Sequence, residues 1–110
     1  NEKTIKENPQ LVRSFVRAFL RGLKDAMADP ELAFNTSKKF VEGLGTDPQK
    51  DEIQRKVLAE TLKLWPAPVL GRSDPVKWDQ TQQVLIDMGL LKDKIPDEQL
   101  FTNQFVDEIK

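Results

Sequence analysis

Apolar side chains return every third or fourth residue through most of the chain, and no stretch alternates between apolar and polar for long. That period is the helical one, so the pattern predicts helices and no internal sheet. The clearest segment runs from Pro9 to about Ala28. On a helical wheel, Leu11, Val12, Phe15, Val16, Phe19, Leu20, Leu23 and Met27 gather on one side, with Ala18, Gly22 and Ala26 inside the same arc. Gln10, Arg13, Ser14, Arg17, Arg21, Lys24 and Asp25 fill the other side. The apolar arc covers about 200°, whereas one packing partner occupies about 100°. This helix is therefore expected to pack on more than one neighbour. Gly22 costs about 1 kcal/mol relative to Ala in a helix interior. Its place between Ala18 and Ala26 at i, i+4 spacing predicts close approach of another element.

Four dipeptides mark helix starts: Asn8-Pro9, Asp29-Pro30, Asp47-Pro48 and Asp74-Pro75. In each, the Asn or Asp oxygen can accept a hydrogen bond from an unpaired N–H of the first turn. Proline loses nothing at the first helical position and has its φ preset for a helix. It also turns the residue before it away from the α conformation, which stops whatever came earlier. Ile95-Pro96-Asp97-Glu98 is a fifth, weaker start.

These starts predict a second helix from Pro30 to about Leu44, with Leu32, Ala33, Phe40, Val41 and Leu44 on its core face. Asn35, Thr36 and Ser37 are poor helix formers, so a break is expected near Asn35. A third helix runs from Pro48 to about Leu64, carrying Ile53, Val57, Leu58, Thr61, Leu62 and Trp65 on a broad face. A fourth spans Pro75 to about Met88, with Trp78, Thr81, Val84, Leu85 and Met88 on one face and Gly89 as the left-handed cap. A short fifth, around 97–105, would bury Leu100, Phe101 and Phe105. The expected fold is all-α: about five helices in an irregular bundle, forming one domain over residues 1–110.

Composition narrows the chemistry. The 110 residues contain neither Cys nor His. Disulfides, thiolate metal sites, Cys nucleophiles and His bases are thereby excluded within this chain. Seventeen basic against 18 acidic side chains give a net charge of -1, so nothing pulls the chain globally toward nucleic acid. Hydrophobic residues make up 38% and charged ones 32%, which predicts a modest core. No apolar run has the length of a membrane span, and the opening NEKTIKENPQ does not read as a signal peptide.

Each chemical candidate has a plainer reading beside it. Arg13, Arg17, Arg21 and Lys24 form a basic stripe that reads first as the solvated side of an amphipathic helix. Trp65 and Trp78 lie on or beside apolar faces and read as packing residues rather than stacking platforms. The acid pairs Asp51/Glu52, Asp97/Glu98 and Asp107/Glu108 sit at helix starts or near the chain end. Acids are expected at helix starts for dipole reasons, whereas a catalytic pair needs facing geometry in a dry pocket. Arg72-Ser73 and Thr102-Asn103 could hold an anion, but only as any helix start can. No catalytic residue, metal ligand or cofactor is assigned, and ligand-binding residues are unknown at this level.

Four segments in order carry a family likeness: ENPQLVRSFVRAFLRGLKDAMADPELA, VLAETLKLWPAP, SDPVKWDQTQQVLIDMGLL and LFTNQF. Together they resemble the C-terminal region of ABC-transporter solute-binding proteins of the thiamine-precursor, sulfonate and nitrate group. The likeness covers Glu7 to Val106, and NTSKKFVEGLGTDPQK follows the family least. It implies a two-lobed α/β periplasmic-binding-protein fold of which this chain is the helical flank. The upstream lobes would then take a small molecule, such as a thiamine pyrimidine precursor, and pass it to an ABC permease. It further implies a periplasmic or lipid-anchored extracytoplasmic location, and no catalysis. No ligand-binding motif of the family falls on a position of this segment, so no site residue is carried over. Two alternatives stand beside it: an independent helical protein-interaction module, and part of a thiamine-pyrimidine biosynthesis enzyme of the same fold. The isolated segment is expected to expose an apolar patch, or to cover it by homodimerisation or helix exchange.

Overall fold

The computed structural model describes residues 1–109, and these are all helix, turn and loop with no strand. Helices follow in the order α1 (Glu2–Glu7), α2 (Pro9–Ala28), α3 (Pro30–Ser37), α4 (Pro48–Leu62), α5 (Pro75–Asp87), α6 (Asp97–Leu100) and α7 (Gln104–Asp107). Every start marked by an Asn-Pro or Asp-Pro pair is present, and each cap works as its chemistry requires. Asn8 Oδ1 accepts from the Leu11 N–H at 3.1 Å, and Asp29 Oδ1 from the Leu32 N–H at 2.9 Å. Asp47 Oδ1 takes the N–H groups of Gln49 and Lys50, and Asp74 Oδ1 takes that of Val76. A helix start is a local event, so its residues suffice to place it.

Helix ends depart further from expectation. The second predicted helix breaks at Ser37, two residues beyond the break expected at Asn35, and does not resume toward Leu44. Ser37 Oγ donates back to the Ala33 carbonyl at 2.9 Å, a bond that competes with the backbone ladder. Turns then carry the chain through Gly43 and Gly45, whose φ of 79° and 89° lie in the left-handed region. The predicted fifth helix is two single turns, α6 and α7, parted by extended backbone at Phe101. Helix α1 was absent from the periodicity because it has no apolar face. It forms on a cap: Asn1 Oδ1 accepts from the Thr4 N–H at 2.9 Å.

The chain divides into two compact units, one of Asn1–Arg13 with the residues from Gly71 onward, the other of Ser14–Leu70. In the first, Phe105 is 5% exposed and Trp78 stacks on Phe101 with ring centres 5.8 Å apart. Gln82 is its buried polar side chain, and both ends of its amide are bonded to the Ile95 backbone: the Ile95 N–H donates to Oε1 at 2.6 Å, and Nε2 donates to the Ile95 carbonyl at 3.1 Å. The inward face of α5 is thus Gln82 with half-buried Leu85 and Ile86, while Val84 and Met88 of the predicted face point to solvent.

In the second unit α3 packs on α4, and Phe34 is the centre of the contact at 3% exposure. The Arg55 guanidinium lies 4.0 Å from the centre of its ring and the Lys38 ammonium 5.2 Å. Cations over an aromatic face attract its quadrupole while their stems cover it. Arg55 also pairs with Glu31, and Lys38 with Asp51, so each cation joins α3 or its following turn to α4.

Little else is buried. Leu20, Phe34 and Phe105 are the buried apolar side chains among the described residues. The accessible surface is 8765 Å². A compact domain of this mass exposes about 6,200 Å², and even two separate compact halves would expose about 7,500 Å² together. Large apolar side chains supply much of the difference: Phe15, Phe40, Leu64 and Met88 are each more than half exposed.

Candidate functional site

An open groove of about 620 Å³ lies in the second unit, bounded by Phe34, Val41, Leu44, Val57, Leu58 and Thr61. It exists because α3 ends early and the turns at residues 38–46 stand beside α4. That volume lies within the range of small-molecule sites. Several of its polar groups are already bonded locally. Asp51 accepts from the Gly45 N–H at 2.8 Å and faces Lys38. Thr46 Oγ donates to the Gly43 carbonyl, and Thr61 Oγ donates to that of Val57. A second hollow of about 370 Å³ lies on the other side of Phe34, beside Asp29, Pro30 and Arg55.

The two segments singled out as anion candidates, 72–73 and 102–103, are brought together and used on each other. Asn103 Oδ1 accepts from the Ser73 N–H at 2.8 Å, and its Nδ2 donates to the Ser73 carbonyl at 2.9 Å. Arg72 Nε donates to Asp107 at 2.9 Å, which holds the guanidinium's pKa above its usual value. The reading of these residues as an anion site missed this pairing because 30 residues separate its halves.

The basic stripe of α2 is likewise divided. Arg13 donates through Nε and Nη2 to the carboxylate of Glu108, lies 5.9 Å from the centre of the Phe105 ring, and donates to Gln10 at 2.8 Å. The Glu108 hydrogen bond raises its pKa. Arg21 faces Asp25 one turn on at 3.8 Å, and Arg17 and Lys24 are exposed. The three acid pairs all have helical or tethering roles. Asp51 is bonded as above, and Glu52 accepts from Lys56, a bond that lowers the Glu52 pKa below the usual carboxylate value. Asp97 and Glu98 form the first turn of α6, and Asp107 and Glu108 hold Arg72 and Arg13. Among the described residues, no cluster of Asp or Glu is arranged to hold a metal ion.

One continuous apolar face without a partner lies on α2. The helix has turned one half of its arc inward: Leu20 is buried, and Val16, Leu23 and Met27 are half-buried. The other half faces out. Phe15 and Phe19 are 68% and 56% exposed and stack on each other at 6.1 Å, and Ala18 and Gly22 beside them are exposed too. Among the described residues the close approach expected at Gly22 is not made: a Cβ placed there would meet nothing within 4 Å.

Residues 1–33 match the protein family described as NMT1/THI5 like. Over 96% of its length the chain is 39% identical to the riboflavin-binding protein RibY of Chloroflexus aurantiacus. It spans about a third of that relative, 31% of its length. No solved structure matches the chain. The resemblance read from the sequence is borne out: the chain is related, along nearly all of its length, to a solute-binding protein of this group.

Proposed function

We propose that the chain is the C-terminal helical part of a substrate-binding protein that serves an ABC importer. The observation that carries this reading is the 39% identity to a riboflavin-binding protein across 96% of the chain. It also favours a flavin over a thiamine pyrimidine as the solute. Both are flat heteroaromatic molecules. The ligand would be held by parts of the protein outside these residues, and the permease and an extracytoplasmic location follow as parts of the same proposal. None of the described helices is long and apolar enough to cross a membrane.

The test is a titration of riboflavin fluorescence with the full-length protein, run beside a thiamine pyrimidine precursor in competition. Saturable quenching of riboflavin, unmoved by the pyrimidine, is the expected result. Binding of the pyrimidine without riboflavin would return the ligand to the thiamine branch, and binding of neither would overturn the proposal. The 110-residue chain alone is expected to quench neither.

A further inference from the structure

We infer that the outward half of α2, centred on Phe15, Ala18, Phe19 and Gly22, is the docking face for the portion of the same protein that lies outside these 110 residues. The inference rests on the proposed function for the existence of that portion. It rests on the structure for the face.

The face is built as a packing surface. Two rings one turn apart lie stacked at 14° with 68% and 56% of their surface open, and the neighbouring positions are small. Ala18 and Gly22, with no atom within 4 Å of a Cβ at Gly22, leave a shallow channel beside the rings where another backbone can come close. The charged side chains of the helix lie around the other side of the wheel, so the face is not interrupted by a charge. The inward half of the arc already has its partners, which is why the sequence reading of two neighbours for one helix is met only by half.

The choice of occupant follows from area. The exposed surface exceeds that of two separate compact halves by about 1,300 Å², whereas one side of a standard interface takes about 800 Å². Open apolar residues of the same unit also lie on α4 at Ile53 and Val57. A second copy laid along α2 covers one stripe and leaves these open. The relative has more than two thirds of its length beyond the aligned segment, since only 31% is matched. A body of that size can cover both.

The experiment places a thiol on the face. These 110 residues contain no Cys, so Ala18→Cys introduces a single labelled position in the segment. Alkylation is followed by mass spectrometry of its peptide, in the full-length protein and in the 110-residue chain. Lys24→Cys, on the polar side, is the control. Ala18→Cys is expected to react about 100-fold more slowly in the full-length protein than in the short chain, as for a group reached only by local opening. Lys24→Cys should react alike in both. Equal rates for Ala18→Cys in the two proteins would overturn the inference. So would protection in the short chain that grows with its concentration, which assigns the face to a second copy. Phe19→Cys gives the same readout if Ala18→Cys disturbs folding. Riboflavin titration of the same full-length protein separates the two ideas: a protected thiol without ligand binding overturns the proposed function and leaves the docking face standing.

Discussion

Asn103 closes both polar atoms of its side-chain amide on the backbone of Ser73, donating to the carbonyl and accepting from the N–H. The pair resembles one rung of a sheet built from a side chain. It fixes the loop ahead of α5 to the last turn of the chain, where Arg72 with Asp107 and Arg13 with Glu108 add charge-assisted bonds. Asn103→Ala leaves a half-buried N–H and C=O without partners, which costs about 1–3 kcal/mol. Asn103→Asp keeps the acceptor for Ser73 and should lose less. Urea unfolding followed by circular dichroism checks the order, and equal stability of the alanine variant and the parent would contradict it.

Gln82 makes the same kind of closure with Ile95, but in a more buried place at 5% exposure. Gln82→Leu fills the space and removes both bonds, stranding the Ile95 groups. We expect a loss of about 2 kcal/mol in the same unfolding measurement. A leucine variant as stable as the parent would show that water reaches the Ile95 backbone.

Phenylalanines should divide sharply by burial. Phe34→Ala and Phe105→Ala open cavities in the two units and are expected to cost about 3–5 kcal/mol each. Phe15→Ala removes a ring that is mostly in water, and its cost in the 110-residue chain should stay below about 1 kcal/mol. Thermal midpoints of the three variants make the comparison. A Phe15 variant as damaged as the Phe34 variant would mean that α2 is covered in the short chain.

Glu52 gives a pH dependence with a definite sign. The hydrogen bond from Lys56, followed by the attraction of its charge, holds the folded-state carboxyl pKa below its ordinary value. Such a group contributes stability above its unfolded pKa and loses it as pH falls through the folded one. Both groups are exposed, so the contribution is small and screened by salt. An NMR titration should find the Glu52 carboxyl below the ordinary glutamate value, and Lys56→Gln should bring it back up. No change on that substitution would contradict the assignment.

The sequence carried the starts of the helices far better than their ends or their partners. Asp29, Asp47 and Asp74 cap within three residues of themselves, so their chemistry is complete in the local string. Gly89, with φ of 71°, is the same kind of local signal at a helix end. Asn35, Thr36 and Ser37 marked the break in α3, and the Ser37 back-bond shows the competition with the backbone that makes such residues poor helix formers. Gln82 carries no local signal of burial, because polar residues on a helix are normally outside and nothing nearby shows that Ile95 will come to meet it. The two anion candidates show their polar atoms in the sequence, yet the partner of each is the other. The width of the α2 arc was legible, and it foretold a face that these 110 residues leave open.

That open face can be measured in one titration. A dye that fluoresces on apolar surface is added to the 110-residue chain and to its Phe15→Lys, Phe19→Lys double variant, with helix content followed in parallel. We expect strong emission from the parent and a several-fold loss in the variant at unchanged helicity, since both rings already stand in solvent. A parent chain that leaves the dye dark, as a monomer, would contradict the account.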